Sequence, residues 1–179
     1  MESKQQKQDI RAKLLEPFDP FDIEWRVQQA GQQANGKRWA LVLAYVTNRA
    51  IMERLDDVFG IDGWQNEFQY MPDGGIVCGI SARLAGEWVT KYDGADKTQI
   101  EATKGGLSGA MKRAGVQWGI GRYLYDLEST FVTLLDKDQK EQGYDYLTAI
   151  VDKQKFWYDR PSLPKFALPK EVTDDTDNE

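Results

Sequence analysis

Apolar positions recur at Ile100, Leu107, Ala110, Met111, Ala114 and Trp118, with Thr103 filling one gap. Spacings of three and four predict one helical face across this stretch. Ile51, Leu55, Val58 and Phe59 repeat the pattern over Asn48 to Phe59, with Thr47 as N-cap and Gly60 just past the end. Elsewhere the period falls to two. Ile23 to Val27, Lys37 to Val46, Trp64 to Met71, Ile76 to Leu84 and Trp88 to Tyr92 read as strands. Pro72-Asp73-Gly74-Gly75 and Ala85-Gly86-Glu87 turn the last three into a meander. Ala30 to Gly36 reads as a loop that closes the first two into a hairpin.

Residues 1 to about 16 form a polar, helix-compatible lead-in that Ile10, Leu14 and Leu15 could anchor. After Asp126 the periodicity fades. Phe131 to Leu135 fits a strand or a short helical turn, and Tyr144 to Val151 is apolar enough to pack without declaring its type. Beyond Trp157 come Pro161, Pro164, Pro169 and an acidic end, a composition that predicts disorder. The expected organisation is one α+β domain over 1–158 and an acidic tail over 159–179. Its architecture is an antiparallel β-meander sheet packed against a long central helix, with an N-terminal β-hairpin.

Charge adds a feature that hydropathy does not show. The chain carries a formal net charge of −6, yet Lys97 to Tyr125 holds Lys97, Lys104, Lys112, Arg113 and Arg122 against Glu101 alone. Lys104, Ser108 and Lys112 lie four apart on one stripe. A local positive excess on an acidic chain is a candidate anion-binding face, although a half-buried helix also keeps charges on its wet side. Gly105, Gly106 and Gly109 each cost the helix about 1 kcal/mol relative to alanine, which predicts close approach of another backbone or a ligand. Arg26, Lys37 and Arg38 add positive charge to the hairpin, where edge-strand protection explains them equally well.

Composition excludes several chemistries. There is no histidine, which removes Ser-His-Asp and Cys-His catalysis and His-ligated metals. The single cysteine, Cys78, excludes an intrachain disulfide and a multi-Cys zinc site, and its apolar run suggests a buried, inert thiol. The start, Met1 to Lys13, shows no signal peptide, and the longest uncharged apolar run, Trp39 to Asn48, is too short to span a bilayer. A reducing intracellular setting is the expectation. There is no Gly-x-x-x-x-Gly-Lys-Ser/Thr phosphate loop.

Three blocks together resemble a known family. Phe59-Gly60-Ile61-Asp62-Gly63-Trp64 closes a helix. A three-strand meander follows, and then Glu101-Ala102-x-x-x-Gly106-Leu107-x-x-Ala110-Met111-Lys112. This order resembles the DNA-annealing core of the Rad-fifty-two superfamily. The run from Lys112-Arg113-Ala114 through Trp118-Gly119-Ile120-Gly121-Arg122-Tyr123-Leu124-Tyr125-Asp126 is similar to its bacteriophage branch, the Sak-type single-strand annealing proteins.

The resemblance covers roughly residues 10 to 130. It implies a non-enzymatic recombinase that needs no ATP or other cofactor. Such a protein assembles into a homo-oligomeric ring or filament and holds single-stranded DNA in a cationic groove while complementary strands pair. It also implies action in the cytoplasm of an infected bacterial host, away from membranes, beside a phage exonuclease and a single-strand DNA-binding protein. Carried over by position, the family's helix cation falls on Lys112, its first-strand cation on Arg26 and its second-strand tyrosine on Tyr45. Two further family cations have no match, because Ser108 and Gly109 stand there.

Lys37, Lys104, Arg113 and Arg122 complete the expected DNA-binding set from local charge. Tyr123 and Tyr125 could stack on bases, but core packing is the simpler account of both. Trp118 is assigned to the core, and Trp25, Trp39, Trp64 and Trp88 to sheet or subunit contacts. Two other classes stay open: a carboxylate-metal nuclease built on Asp62, Asp93, Asp96 and Glu101, and a protein-interaction module that docks through its central helix.

Overall fold

The computed structural model describes residues 4–96, 102–142 and 145–170, without the side chains of residues 102–104. The elements run α1 (Lys4–Leu15), β1 (Ile23–Gln32), β2 (Arg38–Val46), α2 (Asn48–Phe59), β3 (Trp64–Tyr70), β4 (Ile76–Leu84), β5 (Glu87–Ala95) and α3 (Ala102–Trp118). Then follow β6 (Thr130–Leu134), β7 (Tyr146–Val151) and β8 (Gln154–Asp159). The result is a mixed α+β fold. It forms two compact units, one from Met1–Phe18 and Val46–Tyr123, the other from Asp19–Tyr45 and Leu124–Glu179. No helix among the described residues is long and apolar enough to cross a membrane.

In the first unit β3, β4 and β5 form the antiparallel meander, with Trp64 opposite Ala82 and Leu84 opposite Glu87. Asp73 Oδ1 accepts the Gly75 N–H at 3.0 Å and so fixes the first turn. Ala85 and Gly86 both take positive φ in the second, the conformation a two-residue hairpin turn needs. The central strand β4 buries Ile76, Cys78, Ile80 and Ala82. Helix α3 packs on β4 and β5 through Ala110, Met111, Ala114 and Trp118.

Gly106 and Gly109 of this helix have a physical reason. A Cβ at Gly106 would lie 2.7 Å from Ile76 Cδ1, and one at Gly109 would lie 3.1 Å from Ala95 Cβ. The close neighbour is the meander sheet. Ile100, Glu101 and Lys97 lie outside the described residues. In α2, Thr47 Oγ1 accepts the Ala50 N–H at 3.0 Å, Ile51 and Leu55 are buried, and Gly60 adopts φ 79°. Trp64 Nε1 donates back to Asp56 Oδ1 at 2.7 Å, which ties the helix to the first meander strand.

The second unit extends the expected hairpin into a three-stranded sheet of its own. The hairpin strands β1 and β2 form their own sheet with β6, which pairs antiparallel to β2 with Arg38 opposite Leu134 and Val42 opposite Thr130. Strands β7 and β8 form a separate hairpin whose turn residues, Asp152 and Lys153, take positive φ. The core joins Ala40, Val42, Val132, Leu134, Ala149, Phe156 and Tyr158. Tyr158 Oη donates to the Trp25 carbonyl at 3.2 Å.

Strand β1 also runs through Ala30 and Gly31, where a loop was expected. A Cβ at Gly31 would lie 2.7 Å from the Trp39 ring, so a larger residue there would force the ring to shift. The stretch from Asp159 to Lys170, expected to open a disordered tail, carries a 3-10 turn over Lys165–Ala167 with Ala167 buried. The remainder of the predicted tail, 171–179, lies outside the described residues.

Candidate nucleic-acid interface

The predicted site residues divide between the two units. Arg26, Lys37 and Tyr45 belong to the second; Lys112, Arg113 and Arg122 belong to the first. Lys104 is on α3, but its side chain lies outside the described residues.

On the hairpin the structure brings Arg26 and Tyr45 together. The guanidinium carbon lies 5.6 Å from the tyrosine ring centroid, within cation–π range. Arg26 Nη2 also meets Glu24 Oε2 at 3.1 Å, yet its side chain is 58% exposed. Lys37 is exposed at the turn, where its N–H donates to Asn35 Oδ1 at 3.0 Å. Alternation along β2 puts Trp39, Leu41, Leu43 and Tyr45 on the face opposite buried Ala40 and Val42.

Trp39 stacks on Phe131 with centroids 5.6 Å apart and planes 21° from parallel, and Phe131 is 54% exposed. Sequence reasoning passed over Phe131 as a site residue. Its signal was the alternation of Phe131 and Thr133 with Val132 and Leu134, which marks an exposed aromatic on a half-buried strand.

Among the described side chains of α3 and its C-terminal end, the cations are engaged rather than bare. Lys112 is half-buried. Arg113 Nε donates to Asp93 Oδ1 at 3.0 Å, and Gln117 Nε2 donates to Asp93 Oδ2 at 3.0 Å. Burial alone would raise the Asp93 pKa. Hydrogen bonds from Gln117, Arg113 and the Gly94 N–H, with the Arg113 charge, bring it below the ordinary carboxylate value instead. Arg122 folds back on the helix end, giving Nε and Nη2 to the Val116 carbonyl at 3.1 and 2.9 Å and Nη2 to Gln117 O at 3.2 Å. A cation there complements the negative end of the helix dipole. It therefore has a structural task that the charge pattern did not reveal.

Of the two positions where the resemblance expected cations, Gly109 is tight: a Cβ there would lie 3.1 Å from Ala95 Cβ, so a larger residue needs a small shift. Tyr123 Oη accepts the Phe18 N–H at 3.0 Å, as a packed tyrosine with a polar tip does. Tyr125 departs from the packing expectation, being 66% exposed. Trp118 is buried and donates Nε1–H to the Ile80 carbonyl at 3.0 Å. Cys78 is buried and its thiol pKa is raised to about 11, by desolvation first and then by Glu67. That thiol is inert. Of the proposed nuclease acids, Glu101 lies outside the described residues and Asp93 is held by Arg113. Among the described residues no three His, Cys, Asp or Glu side chains are placed to share a metal ion.

In class, this is an α+β protein with cations on a hairpin and on a helix packed over a meander. The chain belongs to the Rad52/22 family of double-strand break repair proteins, whose profile matches residues 6–83 and 73–143. It is 35% identical over 163 residues to the single-stranded DNA-binding protein DdrA of Deinococcus radiodurans, covering 90% of this chain and 68% of that protein. Against the DdrA of Deinococcus deserti it is 33% identical over 130 residues, covering 72% of this chain and 62% of that protein.

Proposed function

We propose that this protein binds single-stranded DNA through its backbone and anneals complementary strands in recombinational repair, without nucleotide hydrolysis. The Arg26–Tyr45 pair carries the reading. It sets a phosphate-binding cation against an aromatic ring on an exposed sheet face, in a chain whose relatives are named for binding single-stranded DNA. Annealing requires a grip that ignores sequence and leaves base edges free. Lys and Arg contacts to phosphates supply such a grip. We assign binding to Arg26, Lys37, Tyr45, Lys104, Lys112, Arg113 and Arg122, and place binding and self-assembly within residues 1–158.

One chain offers few cations, each of them weak. A homo-oligomeric ring or filament multiplies them and raises the effective concentration of neighbouring sites. The run Lys112 to Asp126 supports a phage-type system in an infected bacterial cell, beside an exonuclease and a single-strand DNA-binding protein. The test is anisotropy of a labelled oligo-dT against salt, together with renaturation of complementary strands without nucleotide and mass measurement with and without DNA. Affinity should fall by orders of magnitude between about 50 and about 200 mM salt, as for a protein neutralising several phosphates. A single-copy protein that ignores the oligonucleotide at low salt would end this reading.

A further inference from the structure

We propose that the cleft between α1 and the β4–β5 turn is a docking site for an acidic peptide of a partner protein, one that carries a large apolar side chain between its carboxylates. The cleft holds about 480 Å³, within the range of ligand pockets. Four cations line it from three elements: Lys7 and Arg11 of α1, Lys91 of β5, and Arg122 just after α3. Lys7 and Arg11 are one turn apart, so both project from the same side of the helix. Among the described lining residues there is no carboxylate. In a chain of net charge −6 this is a marked local reversal.

Lys91 Nζ and Arg122 Nη2 even share one acceptor, the Gln117 carbonyl, at 2.9 and 3.2 Å. The Lys91 pKa is lowered, by desolvation first and then by the Arg122 charge. Two cations held together, with no carboxylate among the described lining residues, favour an incoming anion.

The floor decides the kind of anion. It is aliphatic, with Leu14, Leu84 and Val89 prominent. Its one aromatic ring, Trp118, is buried, and the Lys91 ammonium lies 4.7 Å from the ring centroid. A single strand seeks open aromatic faces for its bases. None is open among the described lining residues. An aliphatic floor with a cationic rim instead suits an apolar side chain flanked by Asp or Glu.

The probe is a fluorescein-labelled peptide, Asp-Glu-Leu-Phe-Asp-Asp, titrated with the full chain and followed by anisotropy. A Lys-for-acid version serves as control. We expect salt-sensitive binding of the acidic peptide only. The double substitution Lys7→Glu with Arg11→Glu should weaken it about tenfold or more, as charge reversal at a rim does. Val89→Glu, which leaves α1 untouched, should weaken it as well, and circular dichroism confirms that each variant is folded. Oligo-dT affinity should fall much less than peptide affinity in both, since Arg122, which the cleft shares with the proposed DNA-binding set, is left in place. Absence of peptide binding to the wild-type chain, or equal binding by folded variants, overturns the proposal. If oligo-dT affinity falls as far as peptide affinity in the double variant, the cleft belongs to nucleic acid and the proposal also fails.

Discussion

Arg113 reaches across from α3 to Asp93 on β5, with 3.0 Å between Nε and Oδ1. The pair neutralises one of the cations assigned to DNA. Phosphate must compete with that carboxylate. Asp93→Asn should therefore tighten oligo-dT binding at low salt by a few-fold, on the order of 1 kcal/mol or less for an exposed pair. Anisotropy titration of both proteins checks it, and weaker or unchanged binding would remove Arg113 from the groove.

The same carboxylate gives a pH dependence with a definite sign. Its folded pKa lies below its unfolded value. Its contribution to stability is therefore present above the unfolded pKa, about 3.9, and disappears as pH falls through the folded value. Urea unfolding of wild type and Asp93→Asn should differ near neutrality and converge in acid. A gap that widens toward low pH would contradict the arrangement.

Arg26 and Tyr45 make separable predictions. Removing one phosphate cation from a single-strand site reduces the salt slope by about 0.7, so Arg26→Ala should flatten the plot by that amount. Tyr45→Ala should cost about 1–3 kcal/mol of binding if its ring stacks on a base, with little change in slope. Both residues are exposed, so unfolding midpoints should stay near wild type. A Tyr45→Ala chain that lost slope instead of affinity would show that the ring acts only by holding Arg26.

Gly106 tests the helix–sheet contact. Alanine gains about 1 kcal/mol of helix propensity there, but its Cβ meets Ile76 Cδ1 at 2.7 Å. Gly106→Val adds branches at the same place and should destabilise by about 1–3 kcal/mol through overpacking, read from urea midpoints. Thr47→Ala tests the start of α2 and should cost about 1 kcal/mol, because the Ala50 N–H loses its acceptor.

What the sequence revealed depended on how local the cause was. Asn48–Phe59 was legible to the residue because Thr47 and Gly60 mark its ends through their own chemistry. Ile76–Leu84 was equally clear as an apolar run between two turns. The division into separate sheets was not legible, since it depends on β6 finding β2 from far along the chain. The β7–β8 hairpin was hidden because Asp152 and Lys153 take positive φ without a glycine to advertise it. At the site, residue type and charge were readable. Their partners were not: Asp93 for Arg113 and the Val116 carbonyl for Arg122 lie on segments that only folding brings near.

The depth of Cys78 in the meander has a practical use. With its sulfur enclosed and its pKa near 11, maleimide reagents at neutral pH have no native target in the chain. A cysteine introduced at the outward-facing Tyr125 would then be the sole attachment point for a fluorophore. Assembly and strand pairing could be followed by energy transfer between molecules without first engineering away the natural thiol.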